Sequence, residues 1–516
     1  MTQLTGFFQG TPQSDTYLGE VLTTDAILID NDPNDRFKDL VGIGADALAI
    51  DSLGGDDTIE AITSISTFGL DQSPFGGTIS AFGTAMVNAN INTGAGADTF
   101  TAKSFASSRR STLSIGLQDS GVETKGGDDT IVISGRAEAR DISALLARGV
   151  GLLDSILNAG AGNDTVTVTA SSEISSQGNP TGRAKGLDGS SLAGNQGEDI
   201  IQISASARSS AFITGGTASA SGITRGSNVS GGANNDTISI TSSARVGNGR
   251  GGGSAEALGV GVDSVVRGDG GADTITIAAS TDAVGTLGAI TTATGVALGL
   301  VEGNGGDDTI DITAEIKSGG GNAIGVSSST VSGGTGNDKI SISVQGFTDA
   351  VPNQDFFGAS DAFISGGRAN DEITIESTYT PTPFILDRER LILNNSIGLV
   401  SSTLNAGAGD DLVTVSGLNL DLQDAIINGG GGADIFDTGV GTANISGGGG
   451  QDTLKLDFFD AATMSITALG NNGLYIVGTQ DKQGNSVDWT QTVSGVEQYE
   501  VAGTLYSAAD VVSLLG

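Results

Sequence analysis

Gly333-Gly-Thr-Gly-Asn-Asp338 is followed by Lys339 and Ile340, and this short passage decides the fold. A glycine-rich hexamer ends in an acid, and an alternating apolar strand begins at once. The same grammar returns in Gly303-Asn-Gly-Gly-Asp-Asp308 and in Gly268-Asp-Gly-Gly-Ala-Asp273, the latter running into Thr274-Ile-Thr-Ile277. Thr165-Val-Thr-Val-Thr169 and Thr237-Ile-Ser-Ile-Thr241 are further strands of this kind. Period two puts Ile and Val on one face and Thr or Ser on the other. A small-residue stretch follows, as in Ala257-Leu-Gly-Val-Gly-Val262 and Ala323-Ile-Gly-Val326. A last short strand, such as Thr330-Val-Ser332, leads into the next hexamer.

The acid recurs at Asp57, Asp98, Asp129, Asp164, Asp199, Asp236, Asp273, Asp308, Asp338, Asp371, Asp411, Asp434 and Asp452. Between Asp98 and Asp371 the steps run from 30 to 37 residues; from Asp411 to Asp452 they shorten to 23 and 18. Asp15 and Asp35 read as weaker outlying copies. One unit cannot bury its own Ile/Val face. Units stacked in register bury a continuous narrow core, strand on strand at about 4.8 Å. The expected fold is therefore all-β: a parallel β-solenoid of the β-helix or β-roll kind, with wide coils of about 35 residues and a small C-terminal β-rich cap. An ordinary β-sandwich does not explain one acid-bearing glycine turn per unit.

The expected plan has five parts. Residues 1–50 are an N-terminal cap and first irregular coil, and 51–350 are the glycine-rich solenoid. Residues 351–402, with Val351-Pro-Asn-Gln-Asp-Phe-Phe357 and Thr378-Tyr-Thr-Pro-Thr-Pro-Phe384, read as a bulge or inserted loop. Residues 403–453 are tighter coils, and 454–516 form the C-terminal cap.

Composition narrows the function. Of 516 residues 83 are glycine, aromatics are 4%, and prolines number 7, which fits thin coils and excludes collagen. With 23 basic against 60 acidic residues the net charge is −37. Nucleic acid and anionic membrane surfaces are unsuitable partners for such a chain. Cysteine and histidine are absent, so no disulfide, thiol or imidazole chemistry is available. Any metal site must be built of oxygen ligands, which suits a hard ion such as calcium. No apolar run reaches membrane-span length, and Met1-Thr-Gln-Leu-Thr-Gly-Phe-Phe-Gln-Gly10 does not read as an ordinary secretory signal.

The hexamers resemble the nonapeptide repeat of the RTX, or haemolysin-type, calcium-binding proteins. Gly333-Gly-Thr-Gly-Asn-Asp338 with Ile340, and Gly429-Gly-Gly-Gly-Ala-Asp434 with Phe436, carry the likeness. The resemblance implies Ca2+ held between stacked turns by turn carbonyls and by the thirteen aspartates named above. It also implies export by a type I system. Leu454-Lys-Leu-Asp-Phe-Phe459 through Ser507-Ala-Ala-Asp-Val-Val-Ser-Leu-Leu-Gly516 is similar in style to the uncleaved region read by an ABC exporter. The spacing departs from the family's 18-residue coil except between Asp434 and Asp452, so calcium is expected along a single edge of a wider coil. Physically, an acid at a fixed place in each turn forms a column of mutually repelling carboxylates, and a bound cation removes that cost. The competing reading is that the aspartates bond turn backbone N–H groups.

The function expected is that of a secreted, extracellular structural protein associated with the cell surface or matrix. It is expected to assemble as a homo-oligomer or polymer, a filament or a layer, similar to cyanobacterial surface-fibril or S-layer proteins. Small outward residues such as Thr167, Ser239, Thr276 and Thr374 permit close lateral contact. The alternative is an adhesin binding carbohydrate or another surface, with 351–402 as its patch. A surface polysaccharide is a possible partner. A polysaccharide-modifying enzyme is less favoured: only carboxylates and groups such as Asp387, Arg388, Glu389 and Arg390 are at hand, and these read as a solvated charge run.

Overall fold

The structure, a computed structural model, describes residues 4–9, 16–21, 27–28, 37–51, 54–66, 78–141, 144–211, 215–247, 252–284, 288–348, 354–381, 395–470 and 473–515. Asp15, Asp35 and Asp387–Arg390 lie outside the described residues. The chain divides into two compact units. The first is Met1–Val266, Ala278–Thr292 and Lys317–Gly319; the second is Arg267–Ile277, Ala293–Ile316 and Gly320–Gly516. Each unit is a parallel β-solenoid with three strands per full coil.

In the first unit, one coil consists of Thr165–Ser176, Thr181–Asp188 and Ser191–Gln196. Each strand pairs in parallel with its counterpart one coil on: Ile200–Ala211, Thr217–Thr224 and Asn228–Ala233. Identical positions stack. Val166 meets Ile201 and Val168 meets Ile203, and these meet Ile238 and Ile240 in turn. The expected alternation is present: along Thr165–Ser176 every second side chain is buried. Thr167 and Ser239 occupy the outward positions.

The coil is thin because the facing strand is nearly bare. Gly151, Gly186 and Gly222 stack in the middle strand opposite the Ile/Val column. A Cβ on Gly186 would lie 2.4 Å from Cγ2 of Ile203 and 2.4 Å from the Gly222 carbonyl oxygen. Beyond that point the first unit's core is alanine: Ala170, Ala184, Ala205 and Ala220 form one buried cluster with their neighbours. The second unit widens locally. Phe356 stacks on Tyr379 at 5.4 Å between ring centroids, and Gly346 leaves the space that the Phe356 ring fills.

Changes in coil length fall in the corners. Lys339–Thr348 pairs with Glu372–Pro381 at an offset of 33 residues, but Asp355–Ser360 pairs with Asn395–Val400 at an offset of 40. The extra residues all lie between Pro381 and Asn395. Within 351–402 the strands Asp355–Ser360, Phe363–Arg368, Glu372–Pro381 and Asn395–Val400 are in register with their neighbouring coils, and 382–394 lies outside the described residues. The shortening of the offset from 40 to 23 residues falls in the same corner, between Gly417 and Leu420. Leu420–Gly431 runs as one strand where the preceding coil has two, pairing with both Asn395–Val400 and Thr403–Ala408.

The C-terminal region closes the second unit's end. Met464–Ala468, Gly473–Gln480 and Ser486–Ser494 form an antiparallel meander around buried Trp489. Ser486–Ser494 also pairs in parallel with Gly441–Gly449, and Gln498–Val501 with Thr453–Lys455. The outer edge of Gln498–Val501 is covered by antiparallel Thr504–Tyr506, and a helix, Ala508–Leu515, ends the chain.

Gly186→Val is expected to destabilise the protein by about 1–3 kcal/mol, because the added methyls meet a packed Ile and a fixed carbonyl. Urea unfolding measures this. A wild-type midpoint would show that the middle strand is not packed as described.

Candidate functional site

All thirteen predicted aspartates fall at one place on the coil, and none is more than 3% exposed. The backbone places them there. Each follows a tight glycine turn and immediately precedes the first strand. In the first unit the Asp57 N–H donates to Oδ1 of Asp98, Asp98 to Asp129, Asp129 to Asp164, Asp164 to Asp199, and Asp199 to Asp236, at 2.7–2.8 Å. The second unit repeats this from Asp273 through Asp308, Asp338, Asp371, Asp411 and Asp434 to Asp452, at 2.8–3.0 Å. In the opposite sense, the carbonyl of each rung takes the N–H of the residue after the next aspartate, as Thr165 to Asp129 at 2.8 Å. Each aspartate thus ties its coil to the next through both backbone and side chain.

Where the hexamer opens on glycine, this carboxylate takes the place of a side chain; Ala159 and Ala406 open it before Asp164 and Asp411. A Cβ on Gly303 would lie 2.2 Å from Oδ2 of Asp308, and one on Gly333 would lie 2.3 Å from Oδ2 of Asp338. Oδ2 is pressed onto the glycine's α-carbon. In Asp164, Asp199, Asp308, Asp338, Asp371, Asp411, Asp434 and Asp452 this oxygen is buried and accepts no hydrogen bond.

The electrostatic result is unusual. Burial pushes Asp164, Asp308 and Asp371 up to about 7, and Asp129, Asp338 and Asp434 up to about 6. Neighbouring carboxylates push further, while the donated N–H pulls back. In two coils threonine replaces the first glycine, and the Thr93 and Thr124 hydroxyls lower Asp98 and Asp129 in the same sense as the backbone bond.

A second ladder runs outside the first. Position five of the hexamer is Asp56, Ala97, Asp128, Asn163, Glu198 and Asn235 in the first unit, and its N–H groups donate backwards where the preceding coil offers an acceptor: Ala97 to Asp56, Asn163 to Asp128, Glu198 to Asn163. In the second unit Asn337 donates to Asp307, Asn370 to Asn337 and Asp410 to Asn370. These side chains are exposed.

Two participants were not expected from the sequence. Glu497 takes the N–H of Asp452 on Oε2 at 3.0 Å, while Gln498 donates to the Asp452 carbonyl at 2.9 Å. Glu497 is therefore a further rung, carried by the C-terminal region. Its signal is the acid of Gly495-Val-Glu497-Gln-Tyr499, two residues before a large apolar side chain, as in Asp338-Lys-Ile340. A serine ladder occupies another corner. The Ser120 N–H donates to Oγ of Ser155, Ser155 to Ser190, and Ser190 to Ser227, at 3.1–3.2 Å. Each serine stands nine positions before an aspartate, Ser120 before Asp129 and Ser155 before Asp164, a spacing visible in the sequence.

The arrangement bears on calcium in two ways. The donors are all oxygen, and an orphaned buried carboxylate oxygen in successive coils is an acceptor that a hard cation would satisfy. Yet among the described residues no three carboxylates gather around one point. The aspartates are strung along the column, so a coordination shell would have to be completed by turn carbonyls.

Two outcomes follow from the column. Folded-state pKa values above the ordinary carboxylate value mean that the folded chain holds protons the unfolded chain lacks between about pH 4 and 7. Without divalent ions the melting temperature should therefore rise as pH falls from 8 to 5; a flat profile would contradict the raised values. Asp308→Ala removes the acceptor of the Asp273 N–H and should cost about 1–3 kcal/mol. Asp308→Asn keeps an acceptor, removes one buried charge, and should be milder than Asp308→Ala at pH 8 by urea unfolding.

No family model matches the chain, and no curated protein and no solved structure matches it.

Proposed function

We propose that the chain is a secreted structural protein of a cell surface or extracellular matrix, stiffened by calcium and assembled into filaments or a layer. The observation that carries this reading is the column itself. A buried acid at one place in successive coils, in register and with one oxygen left over at residues such as Asp164, Asp308 and Asp371, makes coil stacking responsive to a cation. Calcium would be held by the free Oδ2 atoms of residues such as Asp164, Asp308 and Asp371 together with turn carbonyls. It would supply positive charge where the column otherwise needs protons. Among the described residues no helix is long and apolar enough to cross a membrane. Export by a type I ABC system fits a chain that stays unfolded until it meets external calcium.

The capped C-terminal end bears on how copies would meet. Thr504–Tyr506 and the meander cover the last strands, which disfavours growth by strand addition there. Assembly is then lateral, through the strand faces.

Electron microscopy and circular dichroism of the purified chain, with calcium and with chelator, test the proposal. Ordered assemblies and full β signal with calcium, both reduced on chelation, are expected. Identical monodisperse monomers under both conditions would defeat it.

A further inference from the structure

The cations of this chain are unevenly placed. Residues 101–250 hold thirteen of its 23 Lys and Arg and thirteen of its 60 Asp and Glu. That stretch is neutral, so the whole net charge of −37 is carried by the remaining residues.

Within the first unit the cations come to a focus. Arg148 and Arg183 stand opposite each other in the register of Leu146–Leu153 with Thr181–Asp188. Like charges directly opposite on neighbouring strands are unfavourable. Lys185 lies two residues beyond Arg183, on the same face of its strand. The Asp188 side chain, 1% exposed, is met by Arg148 Nη2 at 3.0 Å, Lys185 Nζ at 3.1 Å and Arg225 Nε at 3.2 Å. Arg225 also pairs with Asp154.

Neutralising Asp188 explains one of these cations, not the group. Four cations face two carboxylates, and Arg183 has no carboxylate partner among the described residues. The surplus persists in a chain with more than twice as many acids as bases. The heads stay accessible: the side chains of Arg148, Lys185 and Arg225 are 35%, 30% and 51% exposed.

We propose that Arg148, Arg183, Lys185 and Arg225 form a self-association surface that receives carboxylates from the acidic part of a second copy of this chain. The inference rests on the assembly reading above and gives it a specific contact. The chain itself brings the complementary surface in stoichiometric amount. Patch and complement are different surfaces, so the contact is heterologous and continues from copy to copy. Its strength should fall with ionic strength, because the charges are exposed.

The test is sedimentation velocity of the full chain and of Arg183→Glu at about 0.01 M and 1 M salt, where the Debye length is about 30 and 3 Å. Arg183 makes no ion pair among the described residues, and circular dichroism verifies that the variant folds. The wild type should associate at low salt and disperse at high salt. The variant should be at least tenfold weaker at low salt, with Arg183→Lys retaining association. A variant that associates as the wild type does overturns this contact while leaving the structural reading in place. So does association of the wild type that salt does not weaken. A wild type that remains monomeric with and without calcium overturns both. A monomeric wild type that binds polygalacturonate, lost in Arg183→Glu, assigns the patch to an acidic polysaccharide and overturns the second copy as its occupant.

Discussion

A hydrogen bond from the amide of one aspartate to the carboxylate of the next sets the terms for the rest of the structure. It requires that coils stack in strict register, since a slip by one residue would turn the acid to the opposite face. It favours a small residue five positions earlier, glycine in the coils of Asp308 and Asp338, where Oδ2 occupies the space of a side chain, and alanine or threonine in those of Asp164, Asp411, Asp98 and Asp129. It also draws the carboxylates out of water, where in residues such as Asp164, Asp308 and Asp371 only one of the two oxygens is answered. Fold and ion sensitivity are thus one constraint. The bond that aligns the coils creates the buried charge that a proton or a cation must relieve.

The narrow core follows from the same geometry. Ile and Val stack in the first strand, and the glycines opposite let the two walls approach. Alanine carries the core onward, and the Phe356 ring enters where Gly346 yields room. The larger variations in length fall in corners, while the shift between Leu422 and Ala425 is a single residue. The step from 33 to 40 residues between Pro381 and Asn395 leaves the pairing on either side intact.

Much of this was legible in the sequence. The solenoid, its parallel pairing and the thirteen aspartates follow from a repeated hexamer and an alternating strand, both local in the chain. What escaped was of two kinds. Glu497 was hidden because it replaces aspartate and because the meander interrupts the period, placing it 45 residues after Asp452. The serines of the other ladder were hidden because serine is common in these coils, and only a fixed distance from the acid distinguishes Ser155 or Ser190 from its neighbours. That each acid bonds the adjacent coil, rather than its own turn, is a property of stacking. Spacing along one unit does not reveal it.

The inner ladder also has a direction. Each aspartate amide looks forward to a carboxylate supplied by a later part of the chain, and in the second unit the series ends on Glu497. A chain shortened from its front loses rungs but leaves the remaining aspartate amides of the series answered, whereas strand donors such as the Thr165 N–H, which reach back to an earlier carbonyl, lose their acceptors. A chain shortened behind Asp452 leaves that amide facing nothing. The two senses interlock: the inner ladder hangs each coil on the one after it, while the carbonyls beneath hang it on the one before, so Glu497 completes the inner series of the second unit from outside the repeat.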